Sequence, residues 1–543
     1  MMEVAVECRQ AYSSVMRALF LIPMMVVTAA ALTARVAAAG EAPGGTDLWS
    51  LARRESEVHR FSTLFTAQDV RGRLSGESGL AAALDWCKRT AVTQVYIECF
   101  RDGYQADGAA VSNAMARFRQ EGFGVSGCVT PTRVGKQSTG WNLISCYTDL
   151  ATQDRVRAIF EFAARLSDEV MIDDFWFTDC ACAACDAARQ ARTVTVGGKT
   201  HPVAGESWAD YRCELMLQVS REHVLGAARR VNPNARLILK YPQWYDRFHE
   251  RGYDVARQTR DFDRIWVGTE TRDYRDPRWG GTVPYEAYFI MRWLGDLGGA
   301  KCGGGWYDPY GTTERTYLEQ ARQTVLGGAR ESLLFCYGSL QSETGPRNIE
   351  VLRAEIPGLL AIAKEVRRRP VVGVAAYKPA SSAAEDEARV FDFVGMLGVP
   401  LVPCYEFPAR APAAFFSVHA LKDPGLVPRL RRFIRDRRAV LLTDGLAARL
   451  TNQVDLTARN VQVLRVGGDP KSLLALSQGT LDRLREPLLQ PFAVRFRAPN
   501  QVGLYLFKDG SWVVENFNDQ PVDVDINGRT LSVGARDWRT AWK

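Results

Sequence analysis

Two adjacent carboxylates and a group of cysteines follow a single short apolar run in this sequence. The segment 170–185 reads VMIDDFWFTDCACAAC, in which Asp173 and Asp174 come directly after a pattern typical of a buried strand. Charged side chains are rarely buried without a partner, and in a barrel of parallel strands the catalytic groups lie at the carboxyl ends of the strands. The segment therefore predicts a catalytic role for one of these aspartates.

A third carboxylate, Glu270, lies at the end of another predicted strand, after the run IWVGT. Hydrolysis of a glycosidic bond uses two carboxyl groups that flank the bond, one as the acid and the other as nucleophile or base. Successive residues of a strand point to opposite sides, so we expect only one of the two aspartates to face the centre. We favour Asp174 as the nucleophile, with Asp173 as the substitute, and Glu270 as the acid/base of a retaining enzyme. The alternative for each carboxylate is structural, as a helix cap or an arginine partner.

Other predicted strands are also followed by polar and aromatic residues. Aromatic rings stack on the apolar faces of sugars, while charged groups bind hydroxyls. The residues that we predict to contact a carbohydrate substrate are Glu98, Arg101, Tyr241, Trp244, Trp306 and Asp308. Because they follow several different strands, they indicate a ring of groups around one end of a barrel.

Eight short apolar runs alternate with amphipathic segments between residues 59 and 340. The predicted strands are 59–65, 92–98, 122–130, 169–174, 235–241, 264–269, 303–308 and 331–337. Parallel strands need long crossovers that are usually helical, so eight strand-helix units predict a (β/α)8 TIM barrel, an α/β fold. We assign residues 40–369 to this catalytic barrel.

The pattern changes after Pro370. Predicted strands at 371–377 and 439–443, with helices between them, indicate a small open α/β domain over residues 370–485. From 486 to 543, short alternating runs are separated by the hairpin signals Asp509-Gly510 and Asn527-Gly528. This pattern predicts a C-terminal antiparallel β module.

Residues 1–39 have the pattern of an export signal. Arg9 and Arg17 precede an apolar run at 18–32, and Ala37-Ala38-Ala39 supplies the small residues of a cleavage site. The run is short for a membrane span, which needs about 20 residues. We therefore expect an exported protein, periplasmic or extracellular, with a retained membrane anchor as the alternative.

The net charge of +7 is dispersed, without a basic block interleaved with aromatic residues. A nucleic-acid partner is therefore not expected. The five histidines show no metal-binding spacing such as H-E-x-x-H, so we expect no catalytic metal and no other catalytic cofactor.

The cysteines after the fourth predicted strand have the spacing of a metal site. Cys180, Cys182 and Cys185 form a C-x-C-x2-C motif. Structural zinc is bound by four thiolates or imidazoles, and Cys146 is the favoured fourth ligand, with Cys128 and Cys213 as alternatives. The rival interpretation is a disulfide between Cys146 and one cysteine of the motif, which an oxidising compartment favours.

The order of barrel, small α/β domain and β module resembles glycoside hydrolase family 42, the β-galactosidases with a trimerisation domain. The C-x-C-x2-C loop carries the likeness, because that family binds zinc through such a loop and an earlier cysteine, matched here by Cys146. The segment PVVGVAAYKP is similar to the start of that family's amidotransferase-like trimerisation domain. The resemblance implies a carbohydrate substrate, a structural zinc and a homo-oligomer formed through residues 370–485.

The predicted catalytic residues depart from that family. It has an Asn-Glu pair at the end of strand four and a nucleophilic Glu at the end of strand seven, where this chain has Asp173-Asp174 and Asp308. A strand-four Asp nucleophile with a strand-six acid is similar to the α-galactosidase clan instead. We therefore expect an exported glycoside hydrolase that acts on an oligo- or polysaccharide. The alternative from another class is a catalytically inactive barrel that binds carbohydrate.

Overall fold

Eight parallel strands close into a barrel in the computed structural model, which describes residues 47–272 and 283–543. Each strand pairs with its neighbours in sequence, and the first pairs with both the second and the eighth. The strands are β1 Arg60–Phe65, β2 Val92–Arg101, β3 Gly124–Val129, β4 Glu169–Ile172, β5 Arg236–Tyr241, β6 Arg264–Gly268, β7 Cys302–Tyr307 and β8 Glu331–Leu334. The predicted TIM barrel is confirmed.

Helices connect the barrel strands and cover the outside of the barrel. They are Leu48–Glu55, Glu77–Arg89, Gly108–Gln120, Leu150–Leu166, Ala183–Gln190, Trp208–Val219, Gly226–Val231, Val255–Asp261, Glu286–Gly298, Glu314–Leu326 and Gly345–Arg368. Several begin at a side chain that accepts a hydrogen bond from an otherwise unpaired N–H of the first turn, as Asp107, Asp149, Ser207 and Thr313 do. Such N-caps fix where the helix starts, and each contributes about 1 kcal/mol.

The barrel interior is filled by side chains that point inward from the strands. A compact apolar cluster there includes Tyr96, Met171, Ile238, Trp266 and Trp306, all at most 2 % exposed. The two tryptophans fit because β7 begins C-G-G-G-W, and its glycines leave room for the Trp266 ring. This plug supports the layer above it, at the carboxyl ends of the strands.

A five-stranded parallel sheet follows the barrel, as predicted for the small α/β domain. Its strands, in spatial order, are Leu401–Cys404, Val374–Tyr377, Ala413–Phe416, Ala439–Thr443 and Val461–Leu464. Its helices are Val390–Met396, Leu426–Arg435, Asp444–Arg449 and Gln478–Leu489.

Two antiparallel sheets form the C-terminal β module. One contains Val371–Val372, Val502–Phe507, Trp512–Asn516 and Trp538–Ala541, and the other contains Phe496–Arg497, Val522–Ile526 and Arg529–Val533. The strand predicted at 371–377 is therefore two strands in different sheets. The break is at Gly373, whose φ of +153° and whose approach to the Pro400 carbonyl leave no room for a Cβ atom.

The export signal predicted at residues 1–39 lies outside the described residues. Within residues 47–272 and 283–543, none of the helices combines the length and the apolar character that a membrane crossing requires.

The packing of the barrel interior gives a stability prediction. A Cβ atom on Gly304 would lie 2.6 Å from the Glu331 carbonyl oxygen and 2.7 Å from the Trp266 ring. Overpacking of this kind costs about 1–3 kcal/mol, so Gly304→Ala should lower the free energy of unfolding by that amount in urea titrations. The matched control is Gly358→Ala, in an exposed helix position with open space around it. The control should be neutral or stabilising by up to about 1 kcal/mol, and equal losses in both variants would contradict the packing account.

Candidate active site

Alternation along the barrel strands selects the side chains of the candidate site. The inward apolar residues Tyr96, Cys128, Met171 and Ile238 belong to the interior cluster. The residues two positions further along, at the ends of these strands or just beyond them, are all buried. They are Glu98, Thr130, Asp173 and Lys240. Because side chains two residues apart share a face of a strand, these four polar groups form the layer above the plug.

Lys240 is the centre of the site. Its Nζ donates to Asp174 Oδ2 at 2.9 Å and to Glu270 Oε1 at 2.6 Å, and it lies 3.7 Å from Asp173 Oδ1. The ammonium also lies 4.0 Å from the centroid of the Trp306 ring. With only 1 % of its side chain exposed, Lys240 holds the three predicted catalytic carboxyl groups together.

Asp173 is fixed by a second cation and by hydroxyl and backbone groups. Arg101 contacts Asp173 Oδ2 at 3.1 Å and Glu98 Oε2 at 2.8 Å. The Thr130 hydroxyl lies 3.0 Å from Asp173 Oδ2, and the Asp174 amide donates to Asp173 Oδ1 at 2.8 Å. Every oxygen of Asp173 is thus held in place, which suits a supporting carboxylate better than one that must move or react.

The two carboxyl oxygens of Glu270 differ in their contacts. Its Oε1 accepts from Lys240, whereas its Oε2 is buried with no hydrogen-bond partner among the described residues. A Cβ atom on Gly268 would lie only 2.5 Å from this oxygen, so glycine at that position makes room for the carboxyl group.

A third ion pair and an aromatic stack complete the ring. Arg272 donates to Asp308 Oδ2 at 2.6 Å. Trp306 stacks on Phe335, with ring centroids 4.9 Å apart and planes inclined by 25°. The Arg101 guanidinium lies over the Phe335 ring. Four of the six predicted substrate-binding residues therefore meet here: Glu98, Arg101, Trp306 and Asp308.

The carboxyl groups of the site differ in their affinity for protons. Burial raises the pKa of Asp174 to about 8, with Asp173 and Glu270 adding repulsion that Lys240 only partly offsets. Burial also raises the pKa of Glu270. At Asp173 burial acts in the same direction, but Lys240 and Arg101 outweigh it and hold the pKa below its ordinary value. Asp173 is therefore ionised at neutral pH, while Asp174 retains a proton.

The other two predicted substrate contacts lie away from Lys240. Tyr241 is fully buried in the helix layer, where its hydroxyl bonds to Thr259 at 3.0 Å. Alternation explains this, because Tyr241 follows the inward Lys240 and must point outward. Trp244 is half-buried in the loop after β5 and contacts Phe177 edge-on at 5.4 Å.

Trp244 belongs to an aromatic rim built from two further loops. Trp141 packs on Phe175 at 5.5 Å and on Phe177 at 6.3 Å. Phe175 directly follows Asp174, so this rim adjoins the catalytic candidates. Asp179 joins the two loops, because it accepts from the Ser138 hydroxyl at 2.6 Å and the Trp141 amide at 2.8 Å.

The four predicted cysteine ligands converge beneath this rim. The Sγ atoms of Cys146, Cys180, Cys182 and Cys185 all lie within 4.8 Å of one another. Three of the separations are 3.6, 3.6 and 3.9 Å, close to the ~3.8 Å edge of a tetrahedron with metal–sulfur bonds of about 2.3 Å. The alternatives Cys128 and Cys213 are not part of the cluster. In the described ranges, the structure joins none of the eleven cysteines to another by a disulfide bond.

The sequence analysis did not assign a site role to Lys240 or Arg272. Because residues two apart in a strand share a face, the inward Ile238 implies that Lys240, and not Tyr241, points into the barrel. In the same way, the inward Met171 implies that Asp173 points into the barrel. Arg272 follows Glu270 by two residues, and no local pattern indicates that it pairs with Asp308 on the next strand.

Comparison with known proteins gives a family and a fold. A family model described as a probable glycosyl hydrolase, catalytic domain, matches residues 47–351. An uncharacterized protein of Saccharolobus solfataricus is 24% identical over 367 residues, which cover 63% of this chain and 59% of that protein. The chain thus spans about three fifths of the length of this curated relative.

Two solved structures share the architecture over most of their length. A catalytic mutant of a GH42 β-galactosidase from G. stearothermophilus has a TM-score of 0.59 at 10% identity, covering 89% of this chain and 97% of the other. The α-L-fucosidase isoenzyme 2 from Paenibacillus thiaminolyticus has a TM-score of 0.60 at 10% identity, covering 86% and 92%. The predicted likeness to the family 42 architecture is confirmed.

The protonation of Asp174 can be tested through stability. Since its pKa is raised from 3.8 to about 8 on folding, its contribution is greatest below about pH 4 and is lost as the pH rises through 8. Relative to wild type, Asp174→Asn should gain free energy of unfolding between about pH 5 and pH 9, by a few kcal/mol, since one pKa unit is about 1.4 kcal/mol. Denaturant titrations over this range measure the difference.

The control is Asp154→Asn, at an exposed position of the helix Leu150–Leu166. Its difference from wild type should change far less with pH than that of Asp174→Asn, because the Asp154 side chain is 63% exposed. An equally small change in both variants would contradict a proton held by Asp174.

Proposed function

We propose that this chain, which belongs to the family of probable glycosyl hydrolase catalytic domains, hydrolyses a glycosidic bond with Asp174 and Glu270 as its catalytic carboxyl groups. The observation that carries the proposal is the bridge through Lys240. Both carboxyl groups contact the same Nζ atom, at 2.9 and 2.6 Å. Their contacting oxygens are therefore no more than about 5.5 Å apart, which is shorter than the roughly 6.5–9.5 Å of inverting glycosidases and compatible with the retaining ones.

The charges around Lys240 support one distribution of roles. Asp174 holds a proton near neutral pH and 17% of its side chain is exposed, so it is suited to protonate the leaving oxygen of the substrate. Glu270, paired with Lys240, is the second carboxyl group and would form the bond to the anomeric carbon. Water then hydrolyses this bond, with the deprotonated Asp174 as its base. These roles reverse our assignment from the sequence, because an ionised nucleophile is incompatible with the raised pKa of Asp174.

The remaining residues position the pair and the sugar. Asp173 stays ionised and keeps Lys240 charged, while Arg101 orients Asp173. The rim formed by Trp141, Phe175, Phe177 and Trp244 offers aromatic faces for pyranose rings, whereas the buried Trp306 supports the Lys240 ammonium. An oligo- or polysaccharide is the substrate class that suits an aromatic rim extending over three loops.

One observation favours a second function, that of a barrel that binds carbohydrate without cleaving it. Each described carboxylate of the site has a cation within 3.1 Å: Arg101 for Glu98 and Asp173, Lys240 for Asp174 and Glu270, and Arg272 for Asp308. Carboxylates that are fully neutralised by ion pairs are poor nucleophiles. The two functions differ in whether a glycan that binds is also cleaved.

The cysteine cluster is proposed as a structural zinc site. Four thiolates in a closed tetrahedron leave no open position for a substrate or water. Bound zinc would supply cross-linking and no chemistry, tying the β3 loop, through Cys146, to the β4 loop that carries Phe175 and Phe177. No catalytic cofactor is part of the proposal.

Export and assembly remain proposals from the sequence. The apolar run at 18–32, followed by Ala37-Ala38-Ala39, supports a periplasmic or extracellular protein. The parallel sheet of the middle domain supports a homo-oligomer formed through residues 370–485, as in the family 42 enzymes that this architecture resembles.

Substitution of the carboxyl pair tests the catalytic proposal. Glu270→Gln should lower hydrolysis of every substrate by at least about a thousandfold, because no bond to the anomeric carbon can form. Asp174→Asn should lower hydrolysis of natural glycans by about 100- to 10,000-fold. It should spare the first step on aryl glycosides, whose leaving groups need no proton. A glycan library followed by kinetics on the cleaved substrates provides the measurement.

The control for both variants is again Asp154→Asn, which should retain wild-type rates. Wild-type activity in Glu270→Gln or Asp174→Asn would remove the assignment. Glycans that bind the wild-type protein without being cleaved would establish the second function instead.

Metal analysis tests the zinc proposal. The purified protein should contain about one zinc per chain, and Cys182→Ser should lose it together with part of its thermal stability, since structural zinc contributes to folding. Cys404→Ser, which changes a half-buried cysteine in the middle domain, is the control and should keep the metal. A zinc-free wild-type protein that yields two fewer free thiols on titration would instead support a disulfide in the cluster.

A further inference from the structure

A cavity lies at the opposite end of the barrel from Asp174 and Glu270. Its volume is about 390 Å3, and it is bounded by segments that lie at the amino-terminal end of the strands. The lining residues include Val58 before β1, Gly328 and Arg330 before β8, and Val366 with its neighbours at the end of the helix Gly345–Arg368. Ligand pockets typically measure about 300–1,000 Å3, so the cavity has room for one small molecule.

The lining is strongly cationic. It contains Arg292, Arg330, Arg367, Arg368 and Arg369, and it contains no Asp or Glu. Two of these arginines have acidic neighbours outside the cavity. Arg369 contacts Asp509 at 2.7 Å and also pairs with Glu365, which lies 3.9 Å from Arg368.

The other three arginines have no carboxylate within 4.0 Å in the part of the chain that the structure describes. Arg292 and Arg367 are held by neutral groups instead. Arg292 Nη2 donates to the Leu326 carbonyl at 2.6 Å, and Arg367 Nη1 donates to the Glu57 and Val58 carbonyls. These bonds order the guanidinium groups and leave their positive charges uncompensated.

Arg292 has a further donor that is not used. Its Nε is buried and has no hydrogen-bond partner among the described residues. The side chain lies against Gly328, where a Cβ atom would be 3.1 Å from Arg292 Nη1, and the φ of +86° there also favours glycine. A buried donor without an acceptor costs free energy, and the electrostatic attraction of an anion in the cavity would offset part of that cost.

We propose that this cavity binds a small organic anion, through a phosphate or carboxylate group held by Arg292, Arg330 and Arg367. Planar guanidinium groups bind these oxyanions with paired, charge-assisted hydrogen bonds. The mutual repulsion of the arginines is relieved when an anion enters. The apolar side chains of Val58, Val325 and Val366 leave space for the remainder of a molecule about the size of a monosaccharide. The site is separate from the glycosidase centre and independent of it.

Calorimetric titration of the full chain tests the proposal, with inorganic phosphate, glucose 6-phosphate and glucuronate as probes at low ionic strength. At least one probe should bind with one site per chain. Arg330→Ala should weaken that binding by about tenfold or more, since a charged hydrogen bond contributes about 1.5–3 kcal/mol. Tighter binding of glucose 6-phosphate than of glucuronate would identify a phosphate ester as the ligand class, and the reverse order a sugar acid.

Arg432→Ala is the matched control, because this arginine is highly exposed on a helix of the middle domain. It removes the same charge and should leave binding unchanged. Binding should also raise the thermal midpoint of the wild type and the control by more than that of Arg330→Ala. Absence of binding by all three probes, or equal weakening in the two variants, would overturn the proposal.

Discussion

The buried ammonium of Lys240 is the interaction on which the candidate site depends. Five carboxyl groups lie in one layer with three cations, Arg101, Lys240 and Arg272. Without a cation at its centre, the repulsion among Asp173, Asp174 and Glu270 could be relieved only by protonation of more than one of them. With Lys240 in place, Asp173 stays ionised and Asp174 carries a proton. One ammonium group thus leaves Asp174 protonated beside an ionised Asp173, which is the protonation state that a general acid requires.

The loops around the site are built to hold aromatic side chains still. Asp179 bonds to the loop after β3, and the cysteine cluster joins the same two loops a few residues further along. Trp141 lies at and between these attachments in one loop, and Phe177 just precedes them in the other. Loops of this length are usually mobile, so two separate connections give the rim a fixed shape. Rigid aromatic faces bind sugars at a lower entropic cost than mobile ones.

Much of the fold could be predicted from the sequence, whereas the site could be predicted only in part. The eight strands, their order and the cysteine cluster could be predicted because alternation, helix caps and cysteine spacing depend only on residues close together in the sequence. To predict which side chains point into the barrel, at least one inward-facing residue must be known on each strand. With Met171 and Ile238 as references, Asp173 and Lys240 point inward, but the sequence alone does not say which apolar residues face the interior. The pairing of Arg272 with Asp308 depends on the geometry of two strands and left no local signal.

The short strand Val371–Val372 gives the chain an unusual route. It pairs with Val502–Phe507, so the entire middle domain is inserted between two strands of one antiparallel sheet. That sheet cannot close until the residues after 500 have been synthesised, whereas the middle domain has all its strands earlier. Pairings so distant in sequence form slowly, because the loop must be closed before the contacts compensate for it. The residues after 500 therefore decide when this sheet is complete.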